Sequence, residues 1–165
     1  MKKFLVIGNP IEHSLSPELH NYWIKNNNIN AIYEKQKLNQ DQLEEFISQV
    51  KDNKINGINV TVPFKKMVIP YLDELSVEAQ STQSVNTIYK KNNKVIGHNT
   101  DIFGFTASIK EAKYNINNKE ALILGAGGVV PKIKTSLFSR SYSVFSMLVL
   151  NPNISVLCPI TLLSF

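Results

Sequence analysis

Cysteine is almost missing from this chain, which holds a single one, Cys158, among 165 residues. One cysteine cannot form an internal disulfide, and no C-x-x-C motif surrounds it to indicate a metal or redox site. We therefore interpret Cys158 as a structural or incidental thiol. The apolar run between Lys3 and Gly8 is too short for a signal peptide, so a reducing, cytoplasmic location is expected.

Arginine and acidic residues are missing from opposite parts of the chain. The first 131 residues contain no arginine, and all 13 acidic residues lie at or before Glu120. Three of the 18 basic residues lie after Pro131, which leaves 15 basic against 13 acidic residues in 1–131. A net charge of +2 there gives no argument for a nucleic-acid partner.

Residues 132–165 contain no glycine, alanine, aspartate or glutamate, but seven serines. They show no defensible helical stripe, and Asn and Pro residues interrupt the apolar run after Met147, so a membrane span is not expected. We expect this atypical tail to be either poorly ordered or the product of a frameshift near codon 131. Translation of the other two reading frames tests the frameshift, because one of them should resume a strand-helix pattern.

Metal ligands and nucleophilic triads are also missing. His13, His20 and His98 lack cysteine or acidic partners at ligand spacing, so no metal site is predicted. His13 and His20 are interpreted as structural or exposed residues.

The sequence does contain a regular alternation of strand and helix signals. Short apolar runs predict strands at 4–7, 31–38, 58–62, 85–89 and 94–96. Ser16 and Asn39 are the expected caps of two amphipathic helices between the first three strands, and Trp23 is expected in the core. This order predicts an α/β domain with a mainly parallel open sheet and helices on both faces.

Polar residues cluster in loops at the expected strand ends. The clusters are Ser14 with Ser16, then Asn59 with Thr61 and Lys65, then Asn86 with Thr87, and finally Asn99 with Thr100 and Asp101. If the strands are parallel neighbours, these loops converge at one edge of the sheet, where ligands of open α/β folds bind. Hydroxyls and amides would bind the hydroxyl groups of a small polyol acid, and a Lys/Asp pair would handle a proton.

Each of these residues also has a structural interpretation. Ser16 and Asp101 would then only cap helices, and Asn86 and Asn99 would only fix turns. The stretch around Lys65 would be a buried strand, a proline stop and two solvated lysines.

A glycine-rich turn follows the apolar run after Glu120. Gly125, Ala126, Gly127 and Gly128 form the pattern that opens a dinucleotide-binding unit, in which backbone amides approach a pyrophosphate. The third position of the fingerprint is Val130, not the Gly or Ala that allows close helix packing.

Five motifs occur in one order along the chain: GNPIEHSLSPELHN, INVTVPFK, SVNT, GHNTD and GAGG. Over residues 4–131 the chain therefore resembles the NADP-dependent shikimate dehydrogenases. The resemblance implies a substrate domain at 1–101, a linking helix at 102–118, and at 119–131 the start of an incomplete Rossmann-type NADP domain.

The resemblance also implies an activity, the reversible reduction of 3-dehydroshikimate to shikimate with NADPH. Lys65 and Asp101 would be the catalytic pair. The substrate-binding residues would be Ser14, Ser16, Asn59, Thr61, Lys65, Asn86 and Asp101, with the serines on the carboxylate. The cofactor-binding residues would be Gly125, Ala126, Gly127 and Gly128.

The chain departs from the family after Gly128. The segment that recognises the NADP 2′-phosphate is absent, so two alternatives stay open: an inactive shikimate-binding fragment, and a quinate/shikimate dehydrogenase relative that uses NAD. The paired Ser14 and Ser16 favour the shikimate-specific form. The expected partner is a small-molecule substrate, with the chain a monomer or homodimer.

Overall fold

The structure is a computed structural model that describes residues 1–113. The chain divides after Asn99 into two compact units. The predicted glycine-rich turn at 125–128 and the tail at 132–165 lie outside the described residues.

The first unit contains six strands and three helices. The strands are β1 (Lys2–Gly8), β2 (Ala31–Lys37), β3 (Gly57–Val60), β4 (Glu74–Leu75), β5 (Thr87–Lys91) and β6 (Lys94–His98). The helices are α1 (Ser16–Asn26), α2 (Leu43–Lys51) and α3 (Val77–Thr82), with short 3₁₀ turns at Gln40–Gln42 and Ile69–Tyr71. The described part of the second unit is α4 (Asp101–Glu111).

The six strands form one mixed sheet in the order β2-β1-β3-β5-β6-β4. β1 pairs in parallel with both β2 and β3, and β4 pairs in parallel with β6. β5 runs antiparallel to its neighbours β3 and β6. The predicted mainly parallel α/β sheet is therefore confirmed, with β5 as the reversed strand.

Side chains alternate across the sheet and bury both of its faces. Leu5 and Ile7 of β1 belong to one buried cluster, which α2 completes with residues that include Ile47. Val6 points the other way and packs with Tyr33 of β2 and, from α1, Ile24. Helices on both faces, as predicted, follow from this period-two alternation along the strands.

Local signals account for two boundaries of the fold. Gln42 accepts a hydrogen bond from the Asn39 backbone N–H at 2.8 Å, the reciprocal half of a capping box before α2. The β5–β6 hairpin turns at Asn92 and Asn93, both at positive φ, which matches the twist of a two-residue hairpin.

Two expectations for α1 are wrong. Leu15 occupies the N-cap position and makes no side-chain capping bond, and Ser16 is the first helical residue. The Ser14 hydroxyl accepts from the Ser16 N–H at 3.4 Å, so the preceding serine serves this amide. Trp23 is 48% exposed and not in the core.

The position of Trp23 follows from how α1 is attached to the sheet. Asn21 donates to the Tyr33 carbonyl at 2.7 Å and accepts from the Tyr33 N–H at 2.9 Å. These bonds pair the backbone groups of Tyr33 that the edge strand β2 leaves unpaired on its outer side. They also hold α1 so that Ile24 packs against the sheet. Leu19, Tyr22 and Trp23 consequently stay exposed.

Candidate functional site

The candidate residues of the first unit lie on the side of the sheet where the parallel strands β1 and β3 have their carboxyl ends, which we call the carboxyl-end edge. β1 and β3 end there, and each is followed by one of the predicted polar loops. Asn86 reaches this edge differently from expectation, because it precedes β5. Thr87 pairs with Asn59, so the antiparallel direction of β5 places its first residues beside the carboxyl end of β3. The expected parallel arrangement is wrong for this strand, although the loops still meet.

Backbone hydrogen bonds hold the loops of this edge together. They are Asn9 N to Val62 O (3.0 Å), Val60 N to Asn86 O (2.8 Å), Val85 N to Lys65 O (2.7 Å) and Asn86 N to His98 O (3.0 Å). Because the backbone of each loop is anchored to a neighbour, the side chains start from defined positions.

Gly8 at the end of β1 allows the loop after β3 to approach closely. A Cβ atom at this position would lie 2.6 Å from Thr61 Cγ2 and 3.1 Å from the Val62 carbonyl oxygen. The Thr61 N–H donates to the Ile7 carbonyl at 3.0 Å. Thr61 is thus held against the end of β1 by contacts that only glycine permits.

Asn59 and Asn86 are brought into direct contact. The Asn59 Nδ2 group donates to the Asn86 backbone carbonyl at 3.3 Å and to Thr87 Oγ1 at 3.2 Å. The Thr87 hydroxyl in turn donates to Asn86 Oδ1 at 3.0 Å. Two predicted substrate-binding amides therefore belong to one hydrogen-bonded group, and Thr87, quoted in the SVNT motif but not proposed as a site residue, connects them.

Tyr33 completes this group and was not identified from the sequence. Its hydroxyl donates to Asn59 Oδ1 at 2.7 Å. Burial raises the pKa of Tyr33, so the phenol remains a protonated donor. No local signal could have found it, because a tyrosine in a strand is ordinarily assigned to the core and its partner is 26 residues away.

His20 lies on the ring of Tyr33. The two rings are stacked with centroids 4.1 Å apart and planes 8° from parallel. Burial lowers the pKa of His20, which favours the neutral imidazole. The interpretation of His20 as a structural residue agrees with this contact.

Ser14 and Ser16 lie on the loop after β1 and at the start of α1, both partly buried. Glu12 fastens this loop to β2: its carboxylate pairs with Lys37 at 2.9 Å, and its carbonyl accepts from Lys35 Nζ at 2.5 Å. The hydrogen bond from Lys37, aided by the Ile11 N–H, lowers the pKa of Glu12 to about 2.

Asn99 has a structural task. It is fully buried, and its Nδ2 group donates to the Ser84 carbonyl at 2.9 Å and to Thr82 Oγ1 at 3.2 Å. These bonds fix the end of β6 to the turn before β5, in agreement with the structural interpretation of Asn99.

Lys65 and Asp101 fall in different units. Lys65 is partly buried on the loop after β3, in the first unit. Asp101 is the first residue of α4 in the second unit, where a carboxylate suits the positive end of the helix. Thr100, not Asp101, occupies the N-cap position of that helix.

The remaining predictions concern cofactor, metal and membrane. Gly125, Ala126, Gly127 and Gly128 lie outside the described residues. Within residues 1–113, no group of three His, Cys, Asp or Glu residues is placed to hold a metal ion. Over that same part of the chain, no helix is long and apolar enough to cross a membrane.

An open α/β sheet with amides, hydroxyls and a lysine at the carboxyl ends of its strands is typical of domains that bind small polar ligands. Residues 6–88 match the family described as the shikimate dehydrogenase substrate binding domain. The chain belongs to this family.

Individual relatives extend the similarity beyond the matched domain. The chain is 62% identical over 136 residues to the NADP(+) shikimate dehydrogenase of Pelagibacter ubique, covering 82% of this chain and 51% of that protein. Shikimate dehydrogenase 1 of Peptoclostridium difficile superposes with a TM-score of 0.78 at 32% identity, covering 88% of this chain and 55% of that one.

The shikimate 5-dehydrogenase of Thermus thermophilus, solved with NADP(H) and shikimate, superposes with a TM-score of 0.74 at 32% identity. This match covers 84% of the chain and 52% of that protein. The chain thus spans about half the length of the relatives it matches.

Proposed function

We propose that this chain supplies the substrate-binding half of an NADP-dependent shikimate dehydrogenase, which reversibly reduces 3-dehydroshikimate to shikimate. The main support for this proposal is the hydrogen-bonded pair Asn59 and Asn86 at the carboxyl end of β3. It occurs in a chain that is 62% identical over 136 residues to an enzyme of that name. Hydroxyl-rich ring acids need such a concentration of amide and hydroxyl groups, because every buried ligand hydroxyl must find a partner.

Each residue receives a role in this proposal. Ser14 and Ser16 bind the carboxylate of the ligand. The ring hydroxyls bond to Asn59, Thr61, Asn86 and Asp101. The roles within the first unit are supported by the common sheet edge of their loops, and the role of Asp101 by the resemblance of GHNTD to the family motif.

Lys65 and Asp101 are the proposed catalytic pair. Reduction builds negative charge on the carbonyl oxygen of the substrate, and the Lys65 ammonium stabilises that charge or delivers the proton. Asp101 would hold the Lys65 ammonium in position, since opposite charges attract each other. A positioned acid of this kind contributes roughly 10²- to 10⁴-fold to the rate.

NADPH, when bound, supplies the hydride. The apolar run and the glycines Gly125, Gly127 and Gly128 fit a pyrophosphate-binding turn by their order in the sequence. The Thermus relative, by its description, binds NADP(H) and shikimate, which supports the same ligands for this chain. We propose a cytoplasmic monomer or homodimer.

The function is tested by calorimetry and absorbance on the purified chain. We expect shikimate to bind and quinate to bind more weakly, which distinguishes the quinate/shikimate relative. Absence of shikimate binding would overturn the proposal.

NADPH absorbance with added 3-dehydroshikimate then separates two functions. Turnover identifies an oxidoreductase, and a higher rate with NADPH than with NADH identifies the NADP-dependent form. Binding without turnover identifies the second candidate, a shikimate-binding module, which is kept because the chain spans about half of its relatives.

A further inference from the structure

Four side chains at the carboxyl-end edge of β3 form a directed relay of hydrogen bonds. Tyr33 donates to Asn59 Oδ1, Asn59 Nδ2 donates to Thr87 Oγ1, and Thr87 donates to Asn86 Oδ1, at 2.7, 3.2 and 3.0 Å. The relay crosses the sheet from β2 through β3 to the start of β5. It begins on a residue outside the proposed site and ends on one inside it.

The donor-to-acceptor direction of the relay is determined by a group that can only accept a hydrogen bond. The Asn86 backbone carbonyl only accepts, so the Asn59 amide must present Nδ2 to it, at 3.3 Å. Oδ1 of Asn59 therefore faces Tyr33, whose phenol must donate. Because Thr87 Oγ1 accepts from Asn59, its own hydrogen is available for Asn86 Oδ1, which assigns the oxygen end of that amide.

Tyr33 is held in place for this task. Only 4% of the residue is exposed, its ring stacks on His20, and its backbone N–H and carbonyl are both bonded by Asn21. The phenol is thus a rigid donor at the start of the relay, and rigid supports are what keep binding groups in productive geometry.

We propose that Tyr33 is a positioning residue: it fixes the orientation of the Asn59 amide and, through Thr87, that of the Asn86 amide, which together receive the ring hydroxyls of shikimate. The inference rests on the proposed function, because shikimate is the ligand that these amides are oriented to bind.

The test measures shikimate affinity by calorimetry in the wild-type chain, Tyr33→Phe, Thr87→Val and the double variant. Tyr33→Phe keeps the ring on His20 and removes only the donor. We expect each single variant to bind roughly threefold to tenfold more weakly, the value of one hydrogen bond. The double variant should bind more weakly than Thr87→Val alone, because Tyr33 still orients Asn59 directly in that variant, but by less than the product of the two single effects, because both changes act on Asn86 through the same bonds. Tyr22→Phe, at a tyrosine 63% exposed, is the matched control and should bind normally.

A second readout needs no ligand. The ¹⁵N–¹H signals of the Asn86 side-chain amide should shift in Tyr33→Phe, although three hydrogen bonds of the relay separate the two side chains, and should not shift in Tyr22→Phe. Unchanged Asn86 signals would overturn the relay.

The outcomes separate the two claims. A wild-type chain that binds no shikimate overturns the proposed function and the positioning role with it. Normal wild-type binding with wild-type affinity in Tyr33→Phe, or effects that multiply in the double variant, overturns the inference alone. Thr87→Val interrupts the same relay without touching the phenol, so its normal affinity would also overturn the inference if Tyr33→Phe failed to fold.

Discussion

At the scale of single residues, Lys65 is the side chain to which the proposed function assigns the chemical step. Its backbone carbonyl accepts a hydrogen bond from the Val85 N–H at 2.7 Å, one residue before Asn86, and the residue is partly buried. The neighbouring Lys66 is exposed on the same loop. The pair therefore allows a comparison between the proposed catalytic lysine and a solvated lysine.

In an intact version that carries a complete cofactor domain, we expect Lys65→Ala to lower turnover by roughly 10²- to 10⁴-fold while shikimate affinity changes far less, since charge develops on the oxygen only during reduction. The turnover number comes from NADPH absorbance and the affinity from calorimetry. Lys66→Ala is the control and should leave both quantities unchanged. Equal losses of turnover and affinity in Lys65→Ala would contradict a chemical role.

At the scale of elements, α1 is attached to the sheet by polar and ring contacts instead of a wide apolar stripe. Asn21 bonds the backbone of Tyr33, and His20 stacks on its ring. The neutral form of His20 suits this contact, because burial disfavours its charge and lowers its pKa.

This arrangement predicts a pH dependence of stability. The unfolded chain takes up a proton on His20 near its ordinary pKa of about 6.5, whereas the folded chain does so at lower pH. Between the lowered pKa of the folded state and about pH 6.5, the unfolded state therefore binds more protons than the folded state. The unfolding free energy consequently falls as pH decreases through this window. The Tyr33 pKa is raised and that of Glu12 is about 2, so neither titrates in the window.

Urea unfolding at about pH 7 and about pH 5.5 measures the effect. We expect the wild-type chain to lose unfolding free energy between the two pH values, and His20→Phe, which keeps a ring against Tyr33, to lose less. His13→Asn, at an exposed histidine, serves as the control. The same pH dependence in His20→Phe and wild type would refute the assignment.

The elements also show what a sequence can and cannot predict. The Asn39–Gln42 cap was predictable because its partners are three residues apart and the bond is local. The exposure of Trp23 was not, because it depends on Asn21 meeting an edge strand elsewhere in the chain. Asn86 was correctly selected for its chemistry, but the reversed direction of β5 that places it beside Asn59 is a property of strand pairing.

At the scale of the whole molecule, all the proposed binding residues of the first unit lie on one side of its sheet. Loops after β1 and β3 and the start of β5 meet on one side, joined by backbone bonds such as Val60 N to Asn86 O. The opposite side carries connections with no proposed role, including the turn at Asn92 and Asn93. A ligand bound at the carboxyl-end edge should therefore stabilise the loops of that edge more than the connections on the opposite side.

Hydrogen exchange with and without shikimate tests this asymmetry. We expect slower exchange of amides in residues 9–16, 61–66 and 85–87, because binding removes the local openings that expose them. Amides at 52–56 and 92–93 should exchange at the same rate in both states and act as an internal control. The Asn86→Ala variant should show weaker protection at the same loops, since it removes one proposed ligand contact. Equal protection on both edges would mean that shikimate stabilises the unit as a whole, and the proposed binding edge would then be wrong.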